Sequence, residues 1–250
     1  MRLPPLAVLL SLAAFALLAS ADAKGGQPRH DPLAEALARS APALDREVLD
    51  LATRAMSCAL RRPGSAPRPR TLSVIDFSLP STKPRLWVFD LARPRLLFEE
   101  WVAHGRNTGG NMASTFSNRS GSYMSSLGGF QTQETYVGQN GYSLRLRGLE
   151  PGFNDLARER AIVIHGAPYV NPALAGTQGR LGRSLGCPAV RPAVARELID
   201  SISDGSFVFA YYPDPEWLRQ SELLASDCGT LQHAMAAAAA RTPDGAAGGT

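Results

Sequence analysis

Cysteine is scarce in this chain of 250 residues: Cys58, Cys187 and Cys228 are the only three. At 44% apolar and 19% charged residues the chain needs neither disulfides nor metals to bury one core. A single catalytic-size domain is expected. Histidine is nearly as rare. His30, His104, His165 and His233 lie far apart, and no C-x-x-C or H-E-x-x-H occurs, so a metallohydrolase is excluded and neither metal nor cofactor is expected. Basic runs are lacking as well. The formal charge is +4 with a pI near 9.2, but no five consecutive basic residues occur, which argues against nucleic-acid binding. Such a charge instead biases an exported protein toward anionic envelope polymers.

Long hydrophobic runs are also missing. The uncharged stretch Leu6–Leu18 is shorter than the roughly 20 residues of a spanning helix. Preceded by Arg2 and followed by Ala21-Asp22-Ala23, it reads as a signal peptide over residues 1–23, cleaved after Ala23. No cysteine follows it closely, so a lipid anchor is not indicated. The expected destination is the periplasm or the exterior, with no membrane span after cleavage. In that oxidising setting an odd cysteine count leaves at least one thiol unpaired. Cys58 and Cys228 either pair or leave Cys58 as a buried free thiol on a helix face; the sequence does not choose.

What is present divides the chain. Residues 24–67 comprise a polar linker, Lys24–Asp31, and a helix over Ala43–Arg62 whose Leu44, Val48, Leu51, Ala52, Ala55 and Ala59 share one face. Pro63-Gly64 ends it. Residues 68–213 then carry short β-branched and aromatic runs. Strands are expected over Thr71–Phe77, Arg85–Leu91, Leu96–Ala103, Phe130–Val137, Ser143–Arg147, Ala161–Ile164 and Ser206–Tyr212. A short helix is expected over Pro192–Ser203. Residues 214–250 form an extension, largely disordered after about Ser226, where an alanine tract and glycines follow.

The chemistry concentrates in Ile162-Val163-Ile164-His165-Gly166 and in Gly179-Arg180-Leu181-Gly182-Arg183-Ser184-Leu185-Gly186-Cys187-Pro188. A histidine leaving a strand and a cysteine in a glycine-flanked turn are the proton acceptor and nucleophile that thiol catalysis needs. Gly186 permits close approach of a substrate carbonyl, so amides at Gly186 and Cys187 are candidate oxyanion donors. Pro188 biases Cys187 away from helical geometry. Arg180 and Arg183 are placed to hold anionic groups or lower the thiol pKa; the plainer reading is a pair of surface arginines. His104 either reaches the same cleft or is a structural strand-end histidine.

These residues resemble the L,D-transpeptidases with the YkuD catalytic domain, in particular the divergent branch called murein L,D-transpeptidase catalytic domain-like. The pattern of a strand-borne histidine followed by a Ser-x-Gly-Cys turn stands here as His165-Gly166 and Ser184-Leu185-Gly186-Cys187. Further blocks agree in order: Val102-Ala103-His104-Gly105-Arg106, Phe116-Ser117-Asn118, Ser125-Ser126-Leu127-Gly128 and Gly148-Leu149-Glu150-Pro151-Gly152-Phe153-Asn154. The resemblance spans Thr71 to Tyr212. It implies a mainly β fold, a YkuD-like sandwich or barrel, acting on peptidoglycan stem peptides. In that scheme Cys187 attacks the amide between the third and fourth stem residues, His165 moves the proton, and a backbone carbonyl near Gly166 orients the imidazole. Ser184 braces the turn or binds the donor stem. Two positions depart from the pattern: Leu185 stands where most members have His, and Ala189 where many have Arg or Asn.

Other readings stay on the table. Gly182-Arg183-Ser184-Leu185-Gly186 matches the serine-hydrolase elbow, but the histidine precedes the serine and Cys-Pro follows instead of a helix. An L,D-carboxypeptidase would hydrolyse the same thioester. A non-catalytic wall-binding relative would keep the domain with an inert Cys187.

Overall fold

The computed structural model describes residues 31–62, 68–226 and 228. The signal-peptide reading and most of the tail lie outside these residues, as does part of the linker.

The seven expected runs become strands and an unexpected two-residue strand, β7, joins them: β1 (Thr71–Asp76), β2 (Leu86–Asp90), β3 (Arg95–Glu100), β4 (Gly128–Gly138), β5 (Gly141–Gly148), β6 (Val163–Gly166), β7 (Ala189–Val190) and β8 (Phe207–Tyr211). They form one mixed sheet in the order β3-β2-β1-β8-β4-β5-β6-β7. The two ends of that order meet: just beyond β3, Ala103 bridges Ala189 of β7, with its N–H donating to Ala189 O at 2.8 Å. The sheet is thus a nearly closed barrel, in keeping with the mainly β expectation. Both seam residues are fully buried alanines, which lets the backbones meet.

Helices α1 (Pro32–Ala38), α2 (Arg46–Arg61), α3 (Pro172–Gln178), α4 (Pro192–Ile202) and α5 (Pro215–Gln220) complete the fold. Asp45 caps α2 by accepting from Glu47 N and Val48 N. Val48, Leu49, Ala52, Ala55 and Met56 of α2 share a core with Val74, Phe209 and Trp217 of the sheet and α5. Burial of the Val, Leu, Met and Phe side chains among them contributes about 1.5–3 kcal/mol each. Helix α4 packs against β6 where Gly166 lacks a side chain; a Cβ there would lie 2.8 Å from Ala195 Cβ.

Residues 214–226, the first part of the C-terminal extension, pack against the domain. Asp214 caps α5, Trp217 is fully buried, and Leu223 joins the core. Cys58 and Cys228 form a disulfide with Cα atoms 5.5 Å apart, which fastens this segment to α2. Arg62 reinforces the junction by donating to Leu149 O at 2.9 Å and pairing with Glu222. The Gly148–Asn154 block has a structural purpose. Asn154 Nδ2 donates to Leu127 O and Gly129 O, while its Oδ1 accepts from Glu150 N. Glu150 in turn accepts from Gly129 N and bonds Ser221 Oγ.

Candidate active site

A parallel strand pair needs a long crossover, and the connection between β6 and β7 supplies the site. His165 lies opposite Ala189 in that pair, so Cys187, two residues before Ala189, is delivered beside the strand that carries His165. The excursion between them holds α3 and is tied down where Leu181 N donates to Ser81 Oγ and Gly182 N to Tyr169 O.

The turn carrying Cys187 is closed by Ser184. Its hydroxyl donates to Cys187 O at 2.6 Å and accepts from Gly186 N at 3.0 Å. Ser184 is therefore a brace, and the elbow-like match around it does not place it as a nucleophile. The same bond corrects the expectation for Gly186. Its N–H is already satisfied, so of the two amides considered as oxyanion donors the one left without a hydrogen bond among the described residues is that of Cys187. What Gly186 supplies is shape. At φ 126° it occupies a conformation open to glycine, and a Cβ would lie 2.9 Å from Met124 O. The turn is stapled to residues 104–106, where Ser184 N donates to His104 O and Arg106 N to Ser184 O. Ser125 Oγ holds Gly186 O from the other side at 3.0 Å.

His165 is buried, and its Nδ1 lies 3.1 Å from Gly166 O. A carbonyl only accepts, so Nδ1 carries the hydrogen and Nε2 remains a proton acceptor. Burial pulls its pKa below the ordinary value. Burial also pushes the Cys187 thiol up, against weaker lowering by the Val163 backbone and Arg160. The opposed shifts favour a neutral thiol and a neutral imidazole at rest. The thiol proton rests on Ala161 O, 3.7 Å from Sγ.

Arg180 and Arg183 are engaged by the loop backbone. Arg180 donates to Leu181 O, and Arg183 donates to Arg106 O and Gly109 O, bracing the loop. The arginine acting on Cys187 is Arg160, just before β6, and the sequence offered no spacing rule to single it out. It lines a solvent-open cleft of about 190 Å³ with Ser120, Gly121, Tyr123, Ile162 and Leu185. Arg106 stacks over the Tyr123 ring at 4.1 Å. Leu185 is 60% exposed, so the residue standing in place of the family's histidine faces this cleft and not the core. Tyr169 is a second residue missed in the sequence: its hydroxyl is pushed up to about 12, by burial first and by charge at Cys187 second.

His104 belongs to the scaffold. Its Nδ1 lies 2.7 Å from Arg85 Nη2 and its Nε2 3.4 Å from Gly109 O, and its pKa is lowered to about 4 by burial and then by Arg85. Arg85 is itself fully buried, donating also to Val102 O and Leu79 O. Among the described residues no three His, Cys, Asp or Glu side chains are grouped to hold a metal ion, and no helix is long and apolar enough to cross a membrane.

No curated protein matches the chain. An L,D-transpeptidase from Mycobacterium smegmatis is similar in structure at 14% identity and a TM-score of 0.37, covering 58% of this chain; the chain spans 59% of that structure's length. One from Stackebrandtia nassauensis has 14% identity and a TM-score of 0.35, with 72% of this chain and 76% of that one covered. One from Xylanimonas cellulosilytica has 17% identity and a TM-score of 0.33, with 70% and 77% covered. Assignment rests instead on the family model for the L,D-transpeptidase catalytic domain (YkuD_2), which matches residues 40–211 and so takes in α2, the whole barrel and the Ser184–Cys187 turn. Spanning well over half the chain, that match makes this protein a member of the L,D-transpeptidase catalytic domain family.

Proposed function

We propose that the protein is an exported cysteine acyltransferase that acts on peptidoglycan stem peptides as an L,D-transpeptidase. The observation that carries the reading is the placing of Cys187 beside β6, whose His165 is held by Gly166 O and has no hydrogen-bond partner at Nε2 among the described residues. Cys187 Sγ attacks the amide carbonyl joining the third and fourth stem residues, and its proton passes to His165 Nε2. The charge developing on the carbonyl oxygen is met by the Cys187 amide. The C–N bond then breaks, the proton moves from His165 to the departing D-alanine amine, and a thioester remains. A side-chain amine of a second stem attacks that thioester, giving up its proton through His165, and the S–C bond breaks to release the crosslink. Because thiol and imidazole are both neutral at rest, proton transfer accompanies attack in this scheme. Export is supported by the signal-like residues 1–23 and by the Cys58–Cys228 disulfide, which suits an oxidising compartment.

One observation favours a non-catalytic wall-binding relative: the thiol is buried and donates to Ala161 O. Mass spectrometry after incubation with a diaminopimelate-containing disaccharide-tetrapeptide separates the readings. Crosslinked dimer from the parent, absent for Cys187→Ala and for a folded His165→Ala, supports transpeptidation. Tripeptide alone assigns a carboxypeptidase. Untouched substrate with no adduct on Cys187 overturns catalysis.

A further inference from the structure

Arg160 is a half-buried cation with unusual surroundings. Its Nη1 donates to Ser117 O and Ser126 Oγ, and its Nη2 to Ser122 Oγ and Met124 O, at 2.5–3.2 Å. All four terminal N–H groups are thereby used on neutral acceptors. Among the described residues no carboxylate pairs with it, so its charge is left uncompensated by the protein. A guanidinium so saturated has little left for a bidentate grip on a substrate carboxylate; what it offers the cleft is charge.

Its bonds also reach the nucleophile's turn. Met124 O is the atom facing Gly186, and Ser125, between two of the residues Arg160 holds, donates to Gly186 O. Its chain neighbour Ala161 accepts the thiol of Cys187.

We propose that Arg160 is the positioning residue of this site, which clamps loop 117–126 behind the Gly186–Cys187 turn and stabilises negative charge on Cys187 Sγ. The claim deepens the acyl-transfer reading but concerns the thiol alone. Arg160 opposes the desolvation of Cys187, and the other titratable groups coupled to that thiol or paired beside it are Tyr169, whose hydroxyl stays protonated at neutral pH, and the neutral His165.

The test is alkylation of Cys187 in the full chain by iodoacetamide, followed by intact mass from pH 6 to 10.5 for the parent, Arg160→Lys and Arg160→Met. Arg160→Met is expected to react about tenfold more slowly at pH 8, with its midpoint displaced upward, because the cation that favours thiolate is gone. Arg160→Lys keeps the cation and is expected to retain a profile close to the parent's. Identical profiles for all three proteins would overturn the proposal, as would equal slowing in Lys and Met variants that melt at the parent temperature. If Arg160→Met does not fold, Arg160→Lys decides: a parent-like midpoint supports the charge role and a midpoint about one unit higher overturns it. Since no stem peptide is involved, a shifted profile stands even if the protein transfers no acyl group.

Discussion

Ala161 offers its carbonyl to the thiol of Cys187 at 3.7 Å while holding a left-handed backbone with φ 53°. The conformation follows from its position. Residues 155–160 wind into a turn that Ala161 ends, with Ala161 N donating to Arg158 O and Ile162 N to Ala157 O, before β6 begins. A side chain in that region costs about 1 kcal/mol. Ala161→Gly is therefore expected to match or exceed parent stability by up to ~1 kcal/mol, and the β-branched Ala161→Val to lose more than ~1 kcal/mol. Urea midpoints measure both, and a valine variant as stable as the parent would show that this turn holds no strain.

Gly186→Ala should behave differently, because it meets backbone. With φ 126° and Met124 O 2.9 Å from the added methyl, neither partner yields cheaply. A loss of ~1–3 kcal/mol is expected. Displacing Cys187 by even ~1 Å should also lower turnover by about a hundredfold. Denaturation and single-turnover acylation read the two effects separately, and wild-type turnover would remove the turn's geometry from the mechanism.

His104 predicts a pH effect on stability. Its ordinary pKa of 6.5 falls to about 4 in the fold, so between those values the unfolded chain binds the proton that the folded chain refuses. Stability therefore falls as pH drops from about 6.5 to about 4, by on the order of 3 kcal/mol from this residue. Asp76 and Glu150, raised by burial, act in the opposite direction in acid. Imidazole nitrogen shifts isolate the histidine. They should report neutral His104 with hydrogen on Nε2 at pH 5; a midpoint near 6.5 would refute its assignment to the scaffold.

Removing the disulfide through Cys58→Ala with Cys228→Ala should reduce unfolding free energy by ~2–5 kcal/mol. It should leave the alkylation rate of Cys187 unchanged, since α2 packs on β1, β4 and β8 while the thiol sits beside β6. Thermal melts and intact mass check the two halves, and a slowed Cys187 would reveal coupling through the barrel.

The strands of the barrel were largely legible because β-branched and aromatic runs announce them, and α2 and α4 because their apolar faces repeat at helical spacing. Three short helices were not. Helices α1, α3 and α5 open on Asp31-Pro32, Asn171-Pro172 and Asp214-Pro215, a start signal of cap plus proline that is plain in the sequence. At 6 or 7 residues each, they carry too little periodicity for that signal to be weighed. Ala161 was read as the first residue of a strand because its apolar neighbours hide a turn that only hydrogen bonding defines. Around Cys187 the sequence names candidate residues, but the hydrogen bonds each one makes are visible only in the fold. Ser184 and Gly186 satisfy one another, Arg180 and Arg183 bond backbone carbonyls of the loop, and the charge role proposed for Arg160 falls on a residue remote along the chain.

His165 and Cys187 sit at the two ends of an excursion whose roots are fixed by β6 and β7, while α3 and its neighbours between them bear no member of the proposed catalytic pair. The loop is in effect an exchangeable cartridge. Its length and composition can be rewritten without moving either residue, provided the two sockets that receive it keep their register.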